Sequence, residues 1–445
     1  MDSTKGRNIL SLPPEILDLI VSNLAPPHYK ELTYWTSFQR HDLSVCGLVS
    51  QAFYTPSRRY LFGFILVRIV AQGDGARVTK SLNRIRQLRE IISSNPMLQR
   101  MMHHFFVACE VANGPPGEQP ITSAQLEESG FISLLRLFSG LRMLTIFSTM
   151  DGGFGDGSYL CSALDILRMR CPRIVKIKIQ KMINVPSDFL LKWQDITDLQ
   201  VNYVEFTGDV SDTVKKQGRR ALKRYTLLCF LIRSTIPKPL QLLDLRYLKF
   251  LDLRCSNPAI LDEILSQNGY LPTLDHLILT FAFDTGHLHP LSVSAFPSLK
   301  SLEIRGTPQG PNDVRCLSNI VRFLTPETSK ASNIQFIGLR VIAKNSERLI
   351  LGALTEWSEL DKTFTSNYQQ LSNVDVCLEF ELDVDNAAAS WVPIVLDKLD
   401  NFPSHFLPLT LVSRSISLDF SAIFTIPANY GTLQRTWGNF TLPIS

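Results

Sequence analysis

The 445-residue sequence lacks several features that would assign it to a protein class at once. It has no apolar run of 18 residues, so we expect no transmembrane helix. Its first fifteen residues contain no continuous apolar segment, so we expect no signal peptide. Its 45 Lys and Arg nearly balance its 41 Asp and Glu, whereas proteins that track nucleic acid usually carry a basic excess. We therefore predict a cytoplasmic or nuclear protein, or one found in both places, with neither a membrane nor a nucleic-acid partner.

Motifs for metal, redox and hydrolytic chemistry are missing as well. No C-x-x-C pair occurs among the eight cysteines, and we expect most of them to be reduced thiols in the core. There is no H-E-x-x-H and no G-x-S-x-G, so zinc-protease and α/β-hydrolase chemistry gain no support. The glycine-rich segment 151–157 and the pair His287 and His289 leave an enzymatic function as no more than a third alternative. Neither has the spacing of a nucleotide-binding or metal-binding site. We predict no catalytic, cofactor-binding or metal-binding residue.

The sequence does contain ample core material and an internal repeat. Apolar residues make up 45% of the chain, and its length suits two to four domains or one repeat array. The template L-x-x-L-x-L, with Ile, Val or Tyr allowed, recurs nine times and begins at residues 141, 174, 196, 222, 248, 274, 299, 334 and 371. Four consecutive intervals are 25 or 26 residues long. A constant spacing is stronger evidence for a repeat than any single template.

Each template predicts a short strand followed by a helix. Apolar and polar side chains alternate within the template, which places them on opposite faces of a strand. Helical spacing follows at 259–265, after Pro258, and at 314–324, after Asp313. Units of this kind bury their apolar faces only by stacking. An ordinary α/β domain is the alternative, but its buried strands would be more continuously apolar.

Over about residues 141–380 the array resembles a leucine-rich-repeat solenoid. The resemblance implies an α/β fold, namely a right-handed solenoid with a parallel sheet on its concave side and helices on its convex side. The Asn or Cys that usually follows the template is absent, with Thr149, Met182, Val204 and Ser256 at the corresponding positions. This departure predicts an irregular, helix-backed variety.

Residues 10–62 carry a different pattern, which predicts three short helices. Pro13 and Pro14 suit the first turn of a helix, and an apolar stripe follows from Ile16 to Leu24. A second helix fits residues 42–53, and a third would open at Thr55-Pro56 and run to Phe62. Three short helices form a small core that needs a partner to complete it.

Four motifs in this region, Leu12-Pro-Pro-Glu-Ile-Leu17, Cys46-Gly-Leu-Val-Ser50, Phe53 and Arg58-Arg-Tyr-Leu-Phe62, resemble an F-box, particularly of the fungal type. The resemblance implies docking onto a Skp-family adaptor and, through it, onto a cullin. It implies the following adaptor-facing residues: Leu12, Pro13, Glu15, Ile16, Ile20, Leu48, Val49 and Phe53. Burial within the three-helix core is the alternative for each of them. The segment 26–41 is about a dozen residues longer than the usual first connection, and it could fold back harmlessly or interfere with the adaptor.

Together these patterns predict three regions and a non-catalytic function. The regions are the F-box at 10–62, irregular first repeat units packed on it at 63–140, and the array with a C-terminal cap at 141–445. The predicted function is that of a substrate adaptor in a Skp–cullin–F-box ubiquitin ligase, with the repeat face binding an unknown target protein. The alternative is a leucine-rich-repeat scaffold that binds proteins outside any ubiquitin ligase.

The predicted concave face offers candidate target-binding residues. Arg254, Arg305 and Arg340 each follow a template directly, so neighbouring strands would align them in one column. Such a column could bind a phosphorylated or acidic peptide, unless Asp252 and Glu303 on the same strands neutralise it. Acidic residues also alternate along 375–385, which indicates either a charged edge that prevents aggregation or a site for a basic segment.

Overall fold

The structure is a computed structural model of the chain. It describes residues 51–72, 75–111, 123–148, 155–193, 195–208, 220–229, 243–255, 259–268, 271–282, 293–307, 315–325, 333–344, 354–381, 399–400, 402–413, 415–425 and 432–440, together with Ile16, Leu17, Val21, Val45 and Leu48. The chain divides into two compact units, one formed by residues 1–196 and 204–208 and the other by 197–203 and 209–445. The predicted boundaries at residues 62 and 140 both lie within the first unit.

The first unit alternates helices with parallel strands. Its described elements are α1 (Gln51–Phe62), β1 (Phe64–Gln72), α2 (Gly75–Ser93), α3 (Pro96–Met101), β2 (His104–Val111), α4 (Ser123–Glu128), α5 (Phe131–Leu137), β3 (Met143–Ser148), β4 (Gly155–Asp156), α6 (Ser158–Arg170), β5 (Lys176–Pro186) and α7 (Asp188–Leu191). Strands β1, β2, β3 and β5 pair in parallel in this order, and the two-residue β4 pairs with β5. Phe105 of β2 packs against Phe131 and Phe138, so one face of this sheet is covered by helices.

The second unit continues the same alternation with fewer helices. Its described elements are β6 (Asp198–Thr207, with residues 198–203 in this unit), β7 (Arg220–Ala221), β8 (Arg224–Cys229), β9 (Leu243–Asp244), β10 (Phe250–Cys255), α8 (Ala259–Asn268), β11 (His276–Ala282), β12 (Ser301–Thr307), α9 (Arg315–Leu324), β13 (Phe336–Lys344), α10 (Leu354–Asn367), β14 (Asn373–Glu381), α11 (Phe402–Phe406), α12 (Pro408–Val412), β15 (Ser417–Thr425) and β16 (Thr432–Phe440). Strands β6, β8 and β10–β15 pair in parallel, and β16 closes the row in the antiparallel direction.

The α/β class and the parallel strand arrangement predicted from the sequence are confirmed. Each of the nine templates coincides with a described strand, and the helices predicted after Pro258 and Asp313 are α8 and α9. Within each unit the order of the parallel strands follows the order of the sequence and does not close into a barrel. This arrangement is compatible with a solenoid-like α/β fold.

The second template residue of each repeat builds a continuous core row. The row comprises Leu251, Leu277, Leu302, Ile337 and Val374, which are aligned by strand register and fully buried. Burying one such side chain contributes about 1.5–3 kcal/mol. Because each residue packs between its counterparts in the adjacent strands, the stability of a repeat depends on its neighbours.

The last described helices are fastened by one buried carboxylate. Asp361 of α10 accepts hydrogen bonds from the N–H groups of Leu409 and Thr410 and from the Thr410 hydroxyl, each at 2.7 Å. Leu407 precedes α12 and makes no side-chain capping bond. Asp361 therefore supplies, from another helix, the acceptor that the first turn of α12 requires.

Two sequence predictions need correction. The third helix predicted to open at Thr55-Pro56 is part of α1, which begins at Gln51 and contains Pro56 within it. The described segments between the parallel strands are not uniformly helical, because β7 and β9 pair with each other and the 3-10 turn Val293–Ala295 precedes β12. Strands β15 and β16 carry no template but lie within the range 141–445 predicted for the array. Strand β16 covers the edge of β15, and the C-terminal cap stays a prediction.

Candidate functional site

Two exposed apolar side chains stand out in the region predicted to face an adaptor. The exposed fraction is 41% for Ile16 and 85% for Leu48, whereas Phe53 is only 8% exposed. Leu17 and Val21, which follow Ile16 and are four residues apart, are buried. Two of the candidate side chains thus remain accessible to a partner, and the burial of Phe53 favours the alternative of packing within the chain. The candidates Leu12, Pro13, Glu15, Ile20 and Val49 lie outside the described residues.

The face of the second unit's sheet opposite the core row is polar over its last parallel strands. Its side chains are half-buried and alternate with fully buried apolar neighbours such as Ile304, Val376 and Phe420. We call this surface the polar sheet face and define it by Glu303, Arg305, Gly338, Arg340, Asp375, Cys377, Glu379, Asp419 and Ser421. The polar alternation that the templates predicted is therefore present on these strands.

Strand register aligns the three candidate arginines as the sequence predicted. Arg254 is opposite Thr280, which is opposite Arg305, which in turn is opposite Arg340. The side chain of Arg254 lies outside the described part of the structure. The register therefore establishes the column, and the availability of its guanidinium groups depends on the neighbouring carboxylates.

Both arginines with described side chains form ion pairs within the sheet. Arg305 pairs with Glu303, two residues earlier on β12, at 3.2 Å. Arg340 donates a hydrogen bond to Glu379 on β14, and this bond, together with the nearby negative charge, raises the pKa of Arg340. The ion pair between Arg305 and Glu303 is the internal neutralisation considered from the sequence. The ion pair between Arg340 and Glu379 joins two strands, and its two residues are 39 positions apart in the sequence. Use of the column by an acidic peptide would require competition with both carboxylates.

Carboxylates outnumber guanidinium groups on the polar sheet face. Burial raises the pKa of Asp375, and the negative charges of Asp419 and Glu303 raise it further, while Arg340 opposes the shift. Glu303, Asp375, Glu379 and Asp419 face the two described guanidinium groups of Arg305 and Arg340. The described part of this surface therefore attracts cationic groups at neutral pH more than anionic ones.

Gly338 lies between the acidic side chains of β12 and β14. A Cβ atom at this position would be 3.2 Å from the Phe336 ring and 3.3 Å from Cγ of Glu303. Such contacts are tight enough to displace Glu303, which pairs with Arg305. The glycine thus lets the side chains of Phe336 and Glu303 come close to the backbone of β13.

The corresponding face in the first unit is closed at strands β2 and β3. His104, Phe106 and Thr145 point away from the helices, yet all three are almost completely buried. The ring Nε2 of His104 hydrogen-bonds the Thr145 hydroxyl at 3.0 Å. Burial lowers the pKa of His104 well below its usual range, and the positive charges of His103, Lys176 and Lys178 add to that shift. These positions hold apolar or internally bonded groups and cannot bind a partner directly.

The acidic strand predicted at 375–385 is described only in part. Asp375 and Glu379 lie on the polar sheet face, opposite the buried Val376 and Leu378. Strand β14 ends at Glu381, and Asp383 and Asp385 lie outside the described residues. The strand is not an outer edge, because β15 pairs along its full length. The edge-protection alternative therefore loses its basis for the described acidic residues.

The sequence also raised metal, nucleotide and thiol chemistry. No group of three or more His, Cys, Asp or Glu in the described part of the chain could hold a metal ion. Segment 151–154 of the glycine-rich loop and the pair His287 and His289 lie outside the described residues. Cys109, Cys161, Cys171 and Cys377 are in no disulfide, and the first three are buried as the sequence predicted. Among the helices that the structure describes, none is long and apolar enough to cross a membrane.

Comparison with known proteins gives no family. No family model matches the chain, and no curated protein matches it significantly. We therefore infer function from the motifs of residues 10–62, from the strand array and from the surfaces of the two units.

Proposed function

We propose that this protein is a non-catalytic substrate adaptor of a Skp–cullin–F-box ubiquitin ligase. In this proposal residues 10–62 form an F-box that docks a Skp-family adaptor, and a leucine-rich-repeat-like array binds the target. The observation that carries the proposal is the order of parts. The F-box-like motifs end at Phe62, and β1 begins at Phe64, with one residue between them.

This order supports a mechanism based on position rather than chemistry. Gly63 alone separates α1 from β1, and its neighbours His103 and His104 donate backbone hydrogen bonds to the Gly63 carbonyl at 2.9 and 3.0 Å. The end of the F-box-like segment is thereby fixed to the first two strands. A bound ligase would hold a captured target at a high effective concentration near the ubiquitin-transferring subunit.

The apolar exposure at Ile16 and Leu48 supports adaptor docking. Single exposed apolar side chains are common on protein surfaces, but these two belong to motifs for which the F-box resemblance implies an adaptor-facing role. A buried apolar anchor typically dominates the energy of a protein interface. Replacement of either side chain by a carboxylate should place an unpaired charge at that interface.

Co-purification with a Skp-family adaptor tests the proposal. The full chain should retain the adaptor, and the double variant Ile16→Asp/Leu48→Asp should lose it at least tenfold. Met169→Asp is the matched control, because Met169 is 72% exposed on α6, outside the F-box-like segment. Failure of the unaltered chain to retain the adaptor, where an established F-box protein does so, would instead favour the scaffold function outside any ligase.

Target binding is proposed for the polar sheet face. The arginines remain candidates within it, but their ion pairs with Glu303 and Glu379 favour a target that presents cations as well as anions. Reversal of Asp375 and Asp419 to Lys should release the target from the purified ligase complex without releasing the adaptor. Reversal of Arg305 and Arg340 to Glu should have the larger effect if an acidic or phosphorylated segment is bound instead. Unchanged target capture by both double variants would refute this location.

A further inference from the structure

A groove follows the outer side of β1, the first strand of the parallel row in the first unit. Its volume is about 670 Å³, and apolar atoms from three elements line most of it. Leu61 and Phe62 come from the end of α1, residues 64–68 from β1, and Ile85 and Leu88 from α2. Among the strands that the structure describes, β2 is the one that pairs with β1. The groove therefore lies where a further strand would be added.

The hydrogen bonds of Ser81 show which backbone groups of β1 point into this groove. The Ser81 hydroxyl donates to the Arg68 carbonyl at 2.7 Å and accepts from the Val70 N–H at 3.3 Å. Ser81 belongs to α2, so residues 68 and 70 direct their peptide groups away from β2. Alternate residues of a strand direct their peptide groups to the same edge. The N–H and carbonyl of Leu66 therefore point towards the groove, where an extended chain can pair with them.

Positive charge surrounds the Ser81 end of the groove. A second cavity of about 180 Å³ lies there, and it shares Arg68 and Arg84 with the apolar groove. Arg77 and Lys80 also line it, and together with Arg84 they occupy one face of α2 at positions i, i+3 and i+7. No Asp or Glu is found among the described residues that line either cavity.

We propose that this groove binds an extended acidic segment of a partner protein, which joins the sheet as a strand beside β1. The partner's backbone would pair with Leu66, and one apolar side chain would enter the space between Leu61 and Leu88. Carboxylates beyond the paired residue would contact Arg77, Lys80 and Arg84, because Ser81 already bonds the strand edge at Arg68 and Val70. Charge complementarity selects this occupant, because an apolar groove with a cationic end favours an apolar residue followed by acids. The groove adjoins the end of the F-box-like motifs, because Leu61 and Phe62 line it. It is separate from the polar sheet face, and peptide binding there does not depend on a ubiquitin ligase.

Strand geometry sets the spacing of the partner segment. Successive residues of a strand advance by about 3.3 Å, and every second side chain points to the same face. The basic cluster begins two residues after Leu66 and extends to the level of Val70. The acidic residues of the partner should therefore lie about two to four positions from its apolar residue.

Fluorescence anisotropy with the full chain tests the proposal. The probe is the fluorescein-labelled peptide TVLVTDEDEG, and its reversed sequence, GEDEDTVLVT, covers the other strand direction. One of the two should bind, and its affinity should fall as salt concentration rises. The charge-reversed peptide TVLVTKRKRG and the apolar-depleted peptide TSGSTDEDEG should bind at least tenfold more weakly. Equal binding of the acidic and the charge-reversed peptides would overturn the proposal, as would tighter binding of a fluorescein-labelled single-stranded oligonucleotide.

Matched variants of α2 locate the site. Arg77→Glu/Lys80→Glu should weaken the binding peptide about tenfold or more. Arg86→Glu should not, because Arg86 lies on the other side of the same helix and hydrogen-bonds Asn83. If both variants weakened the probe equally, a general charge effect would replace the proposed site.

A backbone measurement separates strand addition from simple charge attraction. N-methylation of alternate residues of the peptide should abolish binding in one of the two possible registers, because it removes the N–H groups that pair with Leu66. Bound peptide should also slow hydrogen exchange at the Leu66 amide at least tenfold. Unchanged exchange at Leu66 together with full binding of both N-methylated peptides would contradict strand addition. Neither readout requires a substitution in β1, so loss of folding cannot obscure the result.

Discussion

Removal of the Asp361 carboxylate should loosen the last helices of the array. Asp361 is 1% exposed and binds two backbone N–H groups and one hydroxyl, all at 2.7 Å. Leu409 is 44% exposed, so water can replace part of the hydrogen bond that its N–H donates to Asp361, whereas Thr410 is fully buried. Loss of two buried bonds to a charged acceptor, at about 1.5 kcal/mol each, gives about 3 kcal/mol for Asp361→Ala.

Native-state hydrogen exchange is the appropriate assay, because the chain has two units and global unfolding need not be two-state. The amides of Leu411 and Ser413 bond the Leu407 and Leu409 carbonyls and report on α12. A local loss of about 3 kcal/mol corresponds to about a 150-fold faster exchange, since 1.36 kcal/mol equals a factor of ten. Asp361→Asn keeps one acceptor oxygen and should cost about half as much.

Glu359→Ala on the same helix is the matched control, because Glu359 is exposed and should change stability by no more than about 0.5 kcal/mol. If Asp361→Ala accelerated exchange no more than this control, the carboxylate would not fasten α12. Acceleration throughout the chain would likewise refute a local role.

Three further substitutions test other parts of the structure. The pKa of His104 is lowered by burial, so the unfolded chain takes up a proton below about pH 6.5 while the folded chain does not. The melting temperature should therefore fall as the pH drops below about 6.5. This fall should be smaller in His104→Asn, and an unchanged pH dependence in that variant would contradict the role of His104. Tyr368 donates its hydroxyl to the Leu324 carbonyl, and Tyr368→Phe should lower the free energy of unfolding by about 1–2 kcal/mol; no change would show the bond to be dispensable. The pKa of Asp375 is raised by burial and by Asp419, so its ionised form is unfavourable at neutral pH. Asp375→Asn should raise the melting temperature at pH 7.5, and this gain should vanish as pH falls towards about 3.8; a loss at pH 7.5 would contradict the charge argument.

The strands of the array could be predicted from sequence because their pattern is local. A template such as Leu299-x-x-Leu302-x-Ile304 alternates buried and half-exposed residues over one strand, and the structure has β12 there. Strand β15 lacks the first apolar residue of the template, since Ser415 and Ile416 precede Leu418. Its place is determined by pairing with β14, a contact that no local pattern encodes.

The candidate site was predictable in outline but not in its charge. Strand spacing was sufficient to align Arg305 with Arg340. The partner of Arg340 is Glu379, 39 residues away, and only the register of β13 with β14 brings the two together. The closed face of the first unit had a detectable signal, because Phe105, Phe106, Val107 and Ala108 are apolar without alternation, which is typical of a strand buried on both faces.

The basic side of α2 also had a local signal. Arg77, Lys80 and Arg84 recur at helical spacing in the sequence, which predicts one cationic face on a helix. Their significance depends on β1, whose outer edge faces the same groove. Sequence spacing can place charges on a helix face, but only the fold shows which apolar surface lies beside them.

The proposed function depends on the docking of a Skp-family adaptor through residues 10–62. The most direct test is the mass of the complex formed when the purified full chain is mixed with the purified adaptor. We expect a one-to-one complex that forms with the unaltered chain and with Met169→Asp, but not with Ile16→Asp/Leu48→Asp. Only unbound chain and unbound adaptor, under conditions where an established F-box protein forms the complex, would contradict it.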